Sequence, residues 1–192
     1  MKLYFIRHGQ TAGNREGRYV GRTDEPLLPE SIEALKQENM PPVDMVITSP
    51  MRRCVETAEA LYPGKATLVE ENLREMDFGE FEYKNYQELK GNPLYQAYID
   101  SGGTTDFPGG EPLTTFRERC KTAFAETVDM LEAEGIQSAA FVVHGGTIMS
   151  ILEAYGVPVR GYFDWQIRNG QCLWGLWQGD KKVLILQETE NK

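Results

Sequence analysis

Four short apolar runs punctuate the chain: Leu3 to Ile6, Met45 to Ile47, Ala66 to Val69 and Ala139 to Val143. Each stops at a polar or glycine-bearing segment, the pattern of a buried strand that opens into a loop. Between them the spacing changes. From Met51 to Leu61 the residues Cys54, Val55, Ala58 and Leu61 recur at helical steps and the pattern ends near Pro63-Gly64. From Leu113 to Glu134 the residues Phe116, Cys120, Phe124, Val128 and Leu131 mark one face of a long helix, with Gly135 as its stop. Thr147 to Tyr155 predicts a further helix, and Tyr83 to Ile99 predicts short helices interrupted at Gly91-Asn92-Pro93. Ser101 to Pro112 is rich in Gly, Pro and Thr and reads as a loop able to cover a site. Cys172 to Trp177 and Val183 to Leu186 flank Gly179-Asp180 as an antiparallel hairpin.

Strands that alternate with helices predict an α/β domain, a three-layer α/β/α sandwich on a mostly parallel mixed sheet. The 192 residues fit one domain, 1–192, with no repeat, low-complexity tract or linker to divide them. With 41% hydrophobic and 26% charged residues the chain has the composition of a soluble globular protein rather than a disordered one.

A formal net charge of −9 argues against nucleic acid or an anionic membrane as partner, so any anionic ligand must meet a local basic cluster. Cys54, Cys120 and Cys172 form no CxxC pair and leave an odd count. Reduced thiols in the cytoplasm are therefore expected, without a disulfide framework or thiolate zinc site. The apolar start is too short for a signal-peptide core or a membrane span.

The chain has only two histidines, His8 and His144, and each stands in a His-Gly pair directly after an apolar run. In open α/β sheets the carboxyl ends of parallel strands converge on the ligand crevice, so both imidazoles are expected in one cleft. A neutral imidazole is a competent phosphoryl acceptor near pH 7. Arg7, Arg22, Arg52 and Arg53 are placed near loops where they can neutralise phosphoryl oxygens. No HExxH pattern or carboxylate-rich loop suggests a metal cage, so neither metal nor cofactor is expected.

The blocks RHGQTAGN, TSPMRRCVETA, LREMDFGEFE and VVHGGT follow in that order, from about Lys2 to about Leu186. Together they resemble the histidine phosphatase superfamily, in the branch named for cofactor-dependent phosphoglycerate mutases. The resemblance implies that His8 becomes phosphohistidine, with Arg7, Arg53 and His144 in the phosphate pocket and Glu75 as acid/base. It further implies Asn14, Gly21, Arg22 and Gly145 near the ligand.

The sequence departs from the family pattern at Ser31, where many members have glycine after the first loop, and at Tyr83 and Pro112 near the expected substrate rim. The implied activity is hydrolysis of a small phosphomonoester, as in small phosphatases such as the alpha-ribazole type. A phosphoglycerate mutase and a non-catalytic phosphoanion-binding regulator are the alternatives. The aromatics Tyr83, Tyr86, Tyr95, Tyr98 and Phe107 suit either a lid or a core, whereas Trp165, Trp174 and Trp177 are expected in packing. An antiparallel edge strand leaves the oligomeric state open.

Overall fold

The structure, a computed structural model, describes residues 1–187. Its centre is a seven-stranded sheet of β1 (Lys2–Arg7), β2 (Met45–Thr48), β3 (Thr67–Val69), β4 (Ser138–Val143), β5 (Gly156–Val157), β6 (Cys172–Gln178) and β7 (Val183–Gln187). The spatial order is β3-β2-β4-β1-β6-β7-β5. Strands β3, β2, β4 and β1 run parallel, β6 pairs antiparallel with both β1 and β7, and β5 returns parallel to β7.

The period-two alternation of β1 decides which residues meet which helices. Leu3 and Phe5 enter a cluster with Phe141, Trp177 and residues of two helices, α6 (Leu113–Ala133) and α7 (Gly145–Tyr155). Tyr4 and Ile6 enter the opposite cluster with Val46, Ala140 and Val142 under α3 (Arg52–Leu61), which in turn packs on α2 (Pro29–Lys36). Helices therefore cover both faces of a mixed, mainly parallel sheet, as the alternation of elements predicts. Phe124 is fully buried between Phe5, Phe141 and Trp177, with ring centroids 5.4–5.7 Å away.

A third cluster lies off the sheet. Met76, Phe81, Leu89, Tyr95, Phe107 and Leu113 pack against Phe116 and Cys120 in the first half of α6. This segment carries two short helices, α4 (Tyr86–Leu89) and α5 (Pro93–Asp100), each opened by an asparagine cap, Asn85 and Asn92. Trp165 and Trp177 are core residues, and Trp174 stacks on Tyr4 across β6 and β1.

Several elements escape the sequence pattern, among them α2, whose two turns carry a single buried residue, Leu35. The single turn α1 (Ala12–Arg15) is held by a Thr11–Asn14 capping box, and β5 is only two residues long. The 3-10 turn Tyr162–Trp165 has too few residues to show a period. Helix α7 begins at Gly145 rather than Thr147, so the Gly145-Gly146 pair forms its first turn instead of a loop before it.

Candidate functional site

Strand register brings the two histidines together. Arg7 pairs with Val143 as the last matched residues of β1 and β4, so His8 and His144 occupy the next position on adjacent strands. The His8 N–H closes the ladder on the Val143 carbonyl at 2.9 Å. Beyond it the imidazoles stand edge to face with centroids 5.2 Å apart.

His8 Nδ1 lies 2.7 Å from the Gly9 carbonyl. A carbonyl oxygen only accepts, so Nδ1 carries the proton and Nε2 keeps its lone pair. Burial and the nearby Arg53 and Arg7 charges hold the imidazole well below its ordinary pKa, which keeps it neutral. His144 is lowered in the same way by burial, then Arg53, His8 and Arg7, and its Nε2 lies 2.7 Å from Ser49 Oγ.

Two guanidiniums underlie these rings. Arg53 is fully buried, and donates to the carbonyls of Thr23 and Gly21 at 2.8 Å and of Val20 at 3.4 Å. Arg7 donates to the Ile167 carbonyl at 2.7 Å. The Nε of each is buried without a hydrogen-bond partner, and neither side chain forms an ion pair among the described residues. An unpaired buried cation costs several kcal/mol. Arg53 fully buried and Arg7 partly buried, in a chain of net charge −9, make this a place suited to an anion.

Glu75 comes from the irregular segment after β3. Its carboxylate accepts from the backbone N–H of Met76 at 3.0 Å and of Gly146 at 3.2 Å. Burial raises its pKa, outweighing the lowering by these N–H groups and the two arginines. A Cβ on Gly146 would stand 2.4 Å from Glu75 Oε1, so only glycine allows this approach. Arg119 on α6 fixes the segment from behind, donating to the carbonyls of Asn72, Arg74 and Glu75 while gripping Glu111 through two nitrogens.

Arg7, His8, Asn14, Glu75 and Gly145 line one cavity of about 400 Å³, with Arg53 and His144 beneath its floor. At Gly145 the first turn of α7 presents backbone N–H groups without intrahelical partners, a natural anion cradle. Asn14 Oδ1 accepts from Asn169 Nδ2 at 3.1 Å, and Asn169 also reaches the carbonyls of His8 and Gly9.

Two expected ligand neighbours lie elsewhere. Gly21 is outside the lining; its carbonyl braces Arg53 while its N–H binds Glu82. Arg22 is mostly exposed, pairs with Asp77 at 3.1 Å, and lines a separate groove on the far side of Glu75. The tight turn through residues 20–23, spent on holding Arg53, carries the Arg22 side chain outward.

The opposite wall of the cavity is aromatic. Tyr98 and Phe107 line it with centroids 4.6 Å apart, joined by Phe78, Tyr162 and Phe163. Gly103, at φ 78°, joins the 101–112 loop to this wall, since an added Cβ would lie 2.9 Å from Phe163 Cζ and 3.2 Å from Tyr98 Oη. Of the other aromatics expected here, Tyr95 is core, whereas Tyr83 and Tyr86 are exposed.

The departures from the family pattern have local structural roles. Ser31 Oγ accepts from the Gln10 N–H at 2.8 Å, tying α2 to the loop after His8. Tyr83 sits at φ 60°, a left-handed conformation, with its hydroxyl donated to Glu25 and its ring under Arg18. Pro112 stands at the N-cap of α6.

Asn169, Arg119 and Ser49 are absent from the expected set. Asn169 lies in an aperiodic stretch and Arg119 on a helix face rich in charge, so neither carries a local signal. Among the described residues no group of three or more His, Cys, Asp or Glu side chains is arranged to hold a metal ion, and no helix is long and apolar enough to cross a membrane.

Comparison with known proteins places these features in context. A family model described as histidine phosphatase superfamily (branch 1) matches residues 3–189. The "Putative phosphoserine phosphatase 2" of Hydrogenobacter thermophilus is 30% identical over 96% of this chain and 93% of its own length. Phosphoglycerate mutase-like protein 4 of Arabidopsis thaliana is 32% identical over 79% of this chain and 70% of its own. In fold, the chain matches the crystal structure of the alpha-ribazole phosphatase from Shigella flexneri with TM-score 0.82 and 23% identity, covering 97% of this chain and 95% of that one.

Proposed function

The chain belongs to branch 1 of the histidine phosphatase superfamily, and from that membership we propose that it hydrolyses small phosphomonoesters through a phosphohistidine on His8. One observation carries the reading. The Gly9 carbonyl fixes the proton on Nδ1, so Nε2 keeps its lone pair beside two guanidiniums that form no ion pair among the described residues.

In the first half-reaction Nε2 forms the bond to phosphorus as the bond to the alcohol oxygen breaks, and Glu75 donates a proton to that oxygen. The raised pKa of Glu75 suits it to hold this proton near neutral pH. Arg7, Arg53, Asn14, His144 and the Gly145 N–H meet the equatorial oxygens, where charge stabilisation serves the transfer most. In the second half-reaction the Glu75 carboxylate takes a proton from water, the water oxygen bonds to phosphorus, and the bond to Nε2 breaks. Phosphate leaves, and both residues return to their starting states.

The aromatic wall supports an alcohol bearing an uncharged ring, the type of molecule represented by alpha-ribazole phosphate. A phosphoglycerate would bring a carboxylate as well. The remaining arginine of the cavity wall, Arg18, is already held by Glu16 and Glu88 at 2.6 Å. This favours hydrolysis over the mutase reading, and the intact nucleophile and acid/base pair favours catalysis over passive phosphate binding. The test is a screen of alpha-ribazole phosphate, phosphoserine, sugar phosphates and 3-phosphoglycerate, with release of inorganic phosphate and formation of 2-phosphoglycerate measured together. Ring-bearing esters are expected to release phosphate fastest; predominant isomerisation of phosphoglycerate would overturn the proposal.

A further inference from the structure

Ser49 follows β2 and is fully buried. Its N–H bonds the Val142 carbonyl at 3.2 Å, which locks it beside the end of β4. From there Oγ reaches His144 Nε2 at 2.7 Å. A hydroxyl can donate or accept, so its other partners decide the polarity of this bond. The Met51 N–H points to the same oxygen at 3.4 Å, and among the described residues His144 Nε2 is the one hydrogen-bond acceptor that Oγ reaches. Cys54 Sγ also flanks the ring, 3.5 Å from Nε2 and 3.8 Å from Nδ1, as a soft packing neighbour.

With one donor already directed at the buried Oγ and no other acceptor within its reach among the described residues, the hydroxyl proton is left for His144. We propose that Ser49 is a positioning residue that donates to His144 Nε2 and thereby places the imidazole proton on Nδ1. A neutral imidazole has one N–H, and its position determines whether His144 can act as a donor at the phosphate. In the opposite tautomer the proton would be used on Ser49, and Nδ1 would turn a lone pair toward an anion. The inference rests on the proposed phosphatase reading for its catalytic meaning, but the tautomer belongs to the protein alone.

The experiment exploits the presence of only two histidines in the chain. Nitrogen-15 NMR of the ligand-free protein at neutral pH resolves four ring nitrogens, and both histidines are expected as the Nδ1–H form. A wild-type His144 in the Nε2–H form overturns the proposal without touching the phosphohistidine assignment. In Ser49→Ala, His144 is expected to become a mixture of tautomers while His8 keeps its Nδ1–H signal. With p-nitrophenyl phosphate, kcat is expected to fall on the order of 10- to 100-fold, as when a buried orienting partner is removed, with KM changed by less than about threefold. If S49A keeps wild-type kcat, Ser49 has no positioning role. Absence of phosphate release by the wild type would instead count against the phosphatase reading and leave the tautomer result intact.

Discussion

His8 and His144 stand edge to face at 5.2 Å because the β1–β4 ladder ends with Arg7 opposite Val143, one residue before each ring. The pairing is a product of strand register, so it survives removal of either side chain. We expect His8→Ala to abolish hydrolysis, to yield no acid-labile phosphoenzyme, and to leave the circular dichroism spectrum and cooperative unfolding intact. Residual turnover within tenfold of wild type would exclude His8 as the acceptor.

Glu75→Gln separates the two half-reactions. The amide cannot donate to an alkoxide or take a proton from water, so turnover of an alkyl phosphate should drop about 10²- to 10⁴-fold. p-Nitrophenolate needs no proton to leave. With that substrate a burst followed by slow turnover is expected, as phosphohistidine accumulates, and rapid-quench mass measurement reads it. Equal slowing of both substrates without a burst would remove Glu75 from the second step.

Gly146→Ala tests the close approach of helix α7 to Glu75. The new methyl would collide with Oε1, and the carboxylate must swing away from the Gly146 N–H it now accepts from. Turnover should fall at least about tenfold, the scale of a misplaced catalytic group, while vanadate binding changes little because the arginines are untouched. Calorimetry and initial rates measured side by side would reveal a parallel loss of both, which is incompatible with this account.

Stability should depend on pH through the same residues. In the unfolded chain each histidine takes up a proton as pH falls through about 6.5; in the folded chain burial and the arginines keep both rings neutral well below that. The unfolded state then binds more protons, so stability is present above this window and is lost as pH falls from about 6.5 toward the folded pKa values. Glu75 opposes this, because its raised pKa favours the folded state at low pH and that benefit fades as pH rises through the folded value. Two histidines outweigh one carboxyl. Urea titrations should show unfolding free energy dropping from pH 7 to pH 5, with a limiting slope of about 1.4 kcal/mol per pH unit for each histidine, and His8→Gln should remove roughly half of it. A flat profile would mean that the rings are not buried in the neutral form.

Phe163 offers a test of the aromatic wall. Half exposed, it lines the cavity without belonging to the core. Phe163→Ala should raise KM for ring-bearing phosphates about 3- to 10-fold, the value of one aromatic contact, and leave KM for glycerol phosphate within twofold. A uniform change across both would show that the wall does not select the alcohol.

Much of this architecture is visible in the sequence because period and position carry it. The apolar runs at Leu3–Ile6 and Ala139–Val143 are short, fully buried and sharply ended, so both strands and the two histidines after them could be read directly. The long stripe from Phe116 to Leu131 fixed α6 in the same way. Part of what escaped has no period: β5 and the 3-10 turn at Tyr162 are too short to repeat anything, yet the turn delivers Tyr162 and Phe163 to the cavity. Asn169 and Ser49 act through chain segments about 160 and 95 residues distant from their partners, a relation only the sheet order creates. The alternation of Gly, Arg and Thr at 21–23 gave no sign that the backbone carbonyls, rather than the Arg22 side chain, serve the site by holding Arg53.

Arg7 in the cavity lining and Arg53 beneath it form no ion pair among the described residues, and in the proposed hydrolysis this shapes the end of the reaction as much as its beginning. Orthophosphate on its way out meets the same two cations as the ester on its way in. The free phosphate of the surrounding medium therefore competes for the floor, tightening the fold whenever it occupies the place of substrate.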